Sequence, residues 1–184
     1  MGRCLLLKRF GKQSGFTLIE VLVTFVVIAL GLLGFGAMQI STMNGSFETY
    51  QRALVTSMVE DMAARIRMNP RGAKAGEYFL SYPESDSCNE LFGAPRDVCE
   101  WSEQLAGAST QSGSDVDARN LGSPPGARGC ISLLSERANA ELWIRVSVAW
   151  VGMTPQTETS LECGLGEMGD EAYRRVAFRD VAVR

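Results

Sequence analysis

The stretch Phe16–Met38, FTLIEVLVTFVVIALGLLGFGAM, holds one carboxylate, Glu20, and no other charge follows until Glu48. An apolar run of about 18 residues or more can cross a bilayer as a helix. Its leading flank is basic: Arg3, Lys8, Arg9 and Lys12 precede residue 15 with no acid among them. The positive-inside rule then keeps the N-terminus cytoplasmic and exports the remainder. A secretory signal would carry a small-residue cleavage site after the apolar run. Gln39–Asn44 offers no such A-x-A pattern, and the small residue Gly15 stands before the run instead. Glu20 sits one turn into the membrane helix, where a carboxylate is costly and is paired or functional. Its plainer role is that of a helix-end carboxylate near the headgroups, favoured by the N-terminal dipole.

The remaining composition narrows the chemistry. The 184 residues suit one modest domain plus an extra element, and 46% hydrophobic with 21% charged residues marks a globular chain. The formal net charge is −3. Of the 18 basic residues four lie before residue 15, so the rest carries 14 basic against 21 acidic side chains, a net of −7. A body that acidic is a poor phosphate binder, which argues against nucleic acid as a partner. The chain has no His, so the commonest general base and metal ligand are both missing. No catalytic constellation, cofactor or metal set is expected.

The string Lys12-Gln13-Ser14-Gly15-Phe16-Thr17-Leu18-Ile19-Glu20-Val21-Leu22 resembles the class III signal of type IV pilins and type II secretion pseudopilins. The resemblance implies that a membrane prepilin peptidase cuts after Gly15 and methylates the new amine of Phe16. It implies that Glu20 then acts in assembly, its buried carboxylate meeting a Phe16 α-ammonium, its own or a neighbouring subunit's. The apolar run stays as a membrane anchor in inner-membrane lipid and later becomes packed fibre core.

Further segments are similar to the PilV type of minor pilin: Gly31-Leu32-Leu33-Gly34 with Met38-Gln39, then Glu60–Pro70, then Gly76-Glu77-Tyr78. So is the layout of the last third, a Cys, a strand with a Trp, a second Cys, and a terminal strand opening with Arg-Arg. Many major pilins carry a Pro where Ala37 stands here, a departure that speaks against a major pilin. The implied fold is α+β, a type IV pilin-like ladle: a long N-terminal helix packed on a small antiparallel sheet stapled by disulfides. The implied organisation is a leader over 1–15, a transmembrane and assembly half-helix over 16–40, and a periplasmic pilin domain over 41–184.

Residue patterning agrees with a helix from about Thr17 to Met68, roughly 78 Å long at 1.5 Å per residue. Phe47, Leu54, Met58, Met62 and Ile66 form an apolar stripe that Val55 and Val59 widen, with Glu48, Gln51, Arg52, Glu60, Arg65 and Arg67 over the remainder. Asn69-Pro70 stops it, because a residue before Pro avoids the α region. Gly31, Gly34 and Gly36 are either close-packing points between helices or a place where the helix melts on assembly. Residues 71–128 read as loop-rich, with Ala106–Gly129 a long irregular connection. Leu142–Val151 alternates as a strand with Leu142, Ile144, Val146, Val148 and Trp150 on one face. Arg175–Val183 offers Val176, Phe178, Val181 and Val183, with a bulge where the alternation slips at Arg179-Asp180. Ile131–Leu134 is a candidate third strand.

Cys4 leaves with the leader, and Cys88, Cys99, Cys130 and Cys163 remain, an even number for an oxidising compartment. They allow three pairings. Cys88–Cys99 as a local clip and Cys130–Cys163 as a staple across the sheet are favoured, the second stabilising by roughly 4 kcal/mol in the chain-entropy model. Other motifs carry less. Gly164-Leu165-Gly166-Glu167-Met168-Gly169 matches G-x-G-x-x-G but follows no strand and opens no helix, so it reads as a turn. Asn44-Gly45-Ser46 is a formal sequon inside the helix. Asp115 and Asp117 could join a calcium site, which needs six or more oxygens. Trp101, Trp143 and Trp150 read as core or sheet-face residues.

Three functional readings follow. The first is a minor pilin that primes or joins a type IV pilus, near its tip, with other minor pilins, the major pilin and a tip adhesin as partners, serving twitching motility and adhesion. The second is a minor pseudopilin of a type II secretion system. The third is an inner-membrane-anchored periplasmic domain that never polymerises.

Overall fold

The computed structural model describes residues 15–79, 88–107, 110–112, 119–136 and 141–184. It divides into two compact units, the first ending at Met43 and the second comprising Asn44–Arg184. Helix α1 runs from Leu18 to Met68. Thr17 begins it by accepting the Glu20 amide on both its backbone and side-chain oxygens, at 3.1 and 3.3 Å. In the first unit every described large apolar side chain is exposed, and this part of α1 is long and apolar enough to cross a membrane. The helix continues through Gly31, Gly34 and Gly36, where an added Cβ would meet nothing within 4 Å.

The second unit is an α+β arrangement of a helix on a sheet. Three antiparallel strands, β3 (Arg128–Glu136), β4 (Leu142–Val151) and β5 (Arg174–Val183), lie in the order β3-β4-β5. Leu142, Ile144, Val146, Val148 and Trp150 point from β4 into the core, with Val181 and Val183 beside them. They cover Val55, Met58, Val59, Met62, Ala63 and Ile66 of α1. Full burial of each such side chain stabilises by about 1.5–3 kcal/mol, so this contact is the main support of the unit.

The buried stripe of α1 holds Val55, Met58, Val59, Met62 and Ile66, as expected, and departs from the expected one only toward its N-terminal end. Phe47 is 55% exposed, whereas Gln51 is buried at 7%. Glu48 also turns inward, to pair with Arg175. The β5 alternation holds in unbroken register from Leu142↔Val183 to Val151↔Arg174. There is no bulge at Arg179-Asp180. Val176 and Phe178 instead share the outer face, opposite Val181 and Val183, and Phe178 carries the Arg145 guanidinium 4.4 Å above its ring. The irregularity falls in β3, between Leu133 and Ser135.

Residues 71–128 contain more order than their composition indicates. Asn69 ends α1 and caps α2 (Pro70–Lys74), its side chain accepting the Gly72 amide at 3.1 Å with Pro70 as the first helical residue. Helix α3 (Ala94–Leu105) follows Gly93, which takes φ 67°, and Pro95 lies in its first turn. Trp101 and Leu105 bury one face of α3, and the Trp101 indole donates to the Met58 carbonyl at 3.0 Å. A short hairpin, β1 (Thr110–Ser112) with β2 (Arg119–Leu121), falls within the stretch read as irregular.

Disulfides join Cys88 to Cys99 and Cys130 to Cys163, 11 and 33 residues apart. Cys99 lies on α3 and Cys130 on β3. Gly129, one residue before Cys130, faces α3: a Cβ there would come within 2.4 Å of the Trp101 ring and 2.6 Å of Leu105. Gly129→Ala is therefore expected to lower unfolding stability by about 1–3 kcal/mol through overpacking. Urea titration of the two chains measures this, and an unchanged midpoint would show that α3 is not held against β3 in this way.

Candidate functional site

The N-terminal junction is built from few parts. Phe16 is 82% exposed, and Gly15 and Thr17 are also open to solvent. Thr17 satisfies the Glu20 amide, leaving Glu20 in the first turn of α1 with its carboxylate exposed. Thr17-x-x-Glu20 has the spacing of a capping box, a local signal that stands in the sequence beside the charge argument. The junction is an accessible peptide bond followed at once by a capped apolar helix. Residues 1–14, including Cys4 and Lys12, lie outside the described residues, as do Asp115 and Asp117.

The segments Glu60–Pro70 and Gly76–Tyr78 meet in a polar network at the C-terminal end of α1. Tyr78 is 3% exposed, and its hydroxyl donates to Asp97 at 2.6 Å while accepting from Asn69 at 3.3 Å. Arg65 donates to Asp61, Asp97 and Glu100 at 3.0, 3.4 and 2.6 Å. Burial raises the Tyr78 hydroxyl above its ordinary value, and the Asp97 carboxylate adds to this. Burial opposes the charge on Arg65, but the bonds to Glu100 and Asp61 more than offset it. The network joins α1, the Asn69 cap of α2 and α3, so it is an architectural centre.

The two arginines that open β5 lie on opposite faces of the strand. Arg174 is 2% exposed, donates to the carbonyls of Leu161, Cys163 and Thr159 at 2.7, 3.0 and 3.0 Å, and also pairs with Glu171. It thereby gathers the connection between β4 and β5. Arg175 donates to Glu48 on α1 at 3.0 Å and to the Thr154 carbonyl, and Thr154 donates to the same Glu48 carboxylate at 2.8 Å. The G-x-G-x-x-G string lies in this connection. Its glycines take φ of 68°, 74° and 81°, conformations open to glycine at little cost, and the Gly166 amide donates to Glu171 at 2.8 Å. The loop thus holds an acid of its own chain.

Cys88, Cys99 and Glu103 have metal-ligand spacing. The two sulfurs are joined to each other, so neither offers a thiolate.

Residues 11–36 match the model of the prokaryotic N-terminal methylation motif. No curated protein and no solved structure matches the chain. The matched segment spans the junction and the apolar helix as far as Gly36, and it supports a type IV pilin-like protein, a pilin or pseudopilin. Motifs of this type are prepilin peptidase substrates, pilins assemble with other pilins, and an apolar N-terminal helix fits inner-membrane anchoring. A structural role, not an enzymatic one, goes with this motif.

Three carboxylates of the second unit lie below their ordinary range. Arg65 and then Arg96 hold Glu100 down, the Gly166 amide and then Arg174 hold Glu171 down, and Arg145 holds Asp180 down through two bonds of 2.7 and 2.8 Å. A carboxyl depressed in the folded state adds stability above its unfolded value, and that stability is lost as pH falls through the folded value. The melting temperature is expected to hold steady above about pH 5 and to fall below about pH 4. Asp180→Asn should flatten part of that fall. A scanning calorimetry series in which wild type and variant lose stability in parallel would remove the Arg145–Asp180 pair from the explanation.

Proposed function

We propose that this chain is a minor pilin of a type IV pilus, of the PilV type. Prepilin peptidase cuts it after Gly15 and methylates Phe16. Residues 16–40 hold the subunit in inner-membrane lipid with its 41–184 domain in the periplasm, and then enter the fibre core. There the subunit joins other minor pilins and the major pilin in a tip complex that supports an adhesin. The observation that carries the pilin part of this reading is the junction: an exposed Gly15–Phe16 bond, a capped first turn with one acid, and an apolar helix open along its membrane-crossing stretch; the minor-pilin part rests on the PilV-like segments at 31–39 and 60–78. A helix so uncovered needs lipid or other helices around it.

The first test is intact mass. Protein extracted from membranes of cells with the peptidase should lack residues 1–15 and carry one methyl group on Phe16. Gly15→Val should leave the precursor uncut. A membrane-extracted chain that keeps residues 1–15 in cells with an active peptidase excludes the reading.

The second test concerns Glu20. A carboxylate in an apolar helix needs a cation, and cutting supplies the Phe16 ammonium. Insertion depends on the apolar run and leader charges, so Glu20→Ala and Glu20→Gln should be inserted and cut at wild-type levels. Both should be depleted about tenfold or more in sheared pili, the loss of roughly 1.4 kcal/mol of pairing. Wild-type amounts of both variants in pili would reduce Glu20 to a helix-end residue.

A further inference from the structure

Glu48 and Arg52 are four residues apart on α1, and Trp150 of β4 stands opposite Arg175 of β5 in the sheet register. Residues at that helical spacing share one face of the helix, and cross-strand partners share one face of the sheet. The two faces meet where Arg175 donates to the Glu48 carboxylate at 3.0 Å. A cavity of about 60 Å³ lies at this meeting, lined by Glu48, Arg52, Trp150, Gln156, Arg175 and Val176. All six residues belong to the second unit.

The wall of the cavity has donors to spare. Trp150 is 2% exposed, and its indole N–H finds no acceptor among the described residues. Buried donors are normally paired, so this one calls for an acceptor from outside the chain. Arg52 is exposed and pairs with no described carboxylate. Gln156 adds an amide that can donate. The one carboxylate in the wall is already committed. Its Oε1 accepts from Arg175 at 3.0 and 2.9 Å, and its Oε2 accepts from Thr154 at 2.8 Å. Two guanidinium groups against one carboxylate leave the wall with a net charge of +1. Gln51, whose unpaired buried side-chain oxygen disfavours an anion, is not part of this wall. Arg175 is also held by the carbonyls of Thr154 and Ala172, so the charged side of the cavity is fixed in advance.

We propose that this cavity binds a small planar oxyanion, a free carboxylate of the size of formate or acetate. One oxygen accepts from the Trp150 indole, and the other meets the Arg52 guanidinium, with the Gln156 amide beside them. At about 15 Å³ for each water-sized group, the cavity takes roughly four non-hydrogen atoms. Water answers the indole donor but not the excess positive charge, and a cation is opposed by Arg52 and Arg175. The bound anion joins Arg52 of α1 to Trp150 of β4, beside the Glu48–Arg175 pair that joins α1 to β5. A ligand that binds only the folded state stabilises it by linkage, so this one strengthens the contact between helix and sheet. The inference goes beyond the pilin reading and does not depend on it.

The test uses the full chain in detergent micelles with nitrogen-15-labelled tryptophan, whose 3 residues give separate indole signals in nuclear magnetic resonance. The Trp150 signal is identified by its loss in Trp150→Phe or, if that chain does not fold, by elimination with Trp101→Phe and Trp143→Phe. Sodium formate replaces sodium chloride at constant ionic strength. The Trp150 signal should shift and saturate, and those of Trp101 and Trp143 should stay in place. Arg52→Gln changes an exposed side chain and should fold as wild type does. It should raise the half-saturating formate concentration by about tenfold or more. The melting temperature should rise with formate in wild type and rise less in Arg52→Gln. A Trp150 signal that stays still, that moves without saturating, or that saturates equally in Arg52→Gln overturns the proposal. So does a water cross-peak at the Trp150 indole that persists undiminished in excess formate, which makes the cavity a hydration site only.

Discussion

The burial of one stripe of α1 by the core face of β4 is the contact on which the second unit depends. Val55, Val59, Met62 and Ile66 share one core with Ile144, Val146 and Val148, and each set would lose its main cover without the other. A three-stranded sheet with one apolar face needs such a partner to be stable. Other connections of the unit are organised around this contact. Trp101 brings α3 against α1 by bonding the Met58 carbonyl, the Cys130–Cys163 bond ties the β4–β5 connection to β3, and Arg175 closes the open end of the helix–sheet layer through Glu48. Glu48 is the first charge after the apolar run, and it is committed to a buried partner, not to solvent.

What the sequence made legible follows from how local each signal is. The long helix, its stop at Asn69-Pro70 and the alternation of β4 depend on periodicity and on single-residue backbone rules, and these survive into the structure. The N-terminal limit of the α1 stripe does not depend on α1 alone. Phe47 is more apolar than Gln51, yet Phe47 is open while its neighbour Glu48 faces Arg175 and Gln51 is covered. Helix α3 was hidden because it is short and rich in charge; its buried contacts, Trp101 and Leu105, lie four residues apart and gain their value only beside Met58 and Gly129. The β5 alternation was misread for a similar reason. Phe178 looks like a core residue, but the outer face offers it Arg145, whose charge favours an aromatic ring.

The junction was the most legible part of the candidate site, since a leader charge, a small residue and a lone acid are features of composition and order. The Thr17 cap was readable from the same letters and adds a physical reason for the position of Glu20. An acid three residues after an N-cap is favoured by the helix dipole before any partner arrives. The Arg174-Arg175 pair was visible only as a motif. Strand alternation explains why two adjacent arginines are useful: one side chain faces each side of β5, so a single dipeptide pins the β4–β5 connection to the outer face and the same connection to α1.

On the proposed reading these features assign different tasks to the two parts of α1. From Gln51 to Ile66 the helix is already partnered, and its buried face is fixed by β4. From Leu18 to Ile40 every large apolar side chain is open, and the one acid there has no cation among the described residues. An intact Gly15–Phe16 bond presents Glu20 with a neutral amide, whereas a cut bond presents a charge of opposite sign one turn away. Methylation keeps that charge, because a secondary amine is still protonated at neutral pH. The same carboxylate is thus a helix-end residue before cutting and half of an ion pair after it, and the peptide bond at Gly15 decides which.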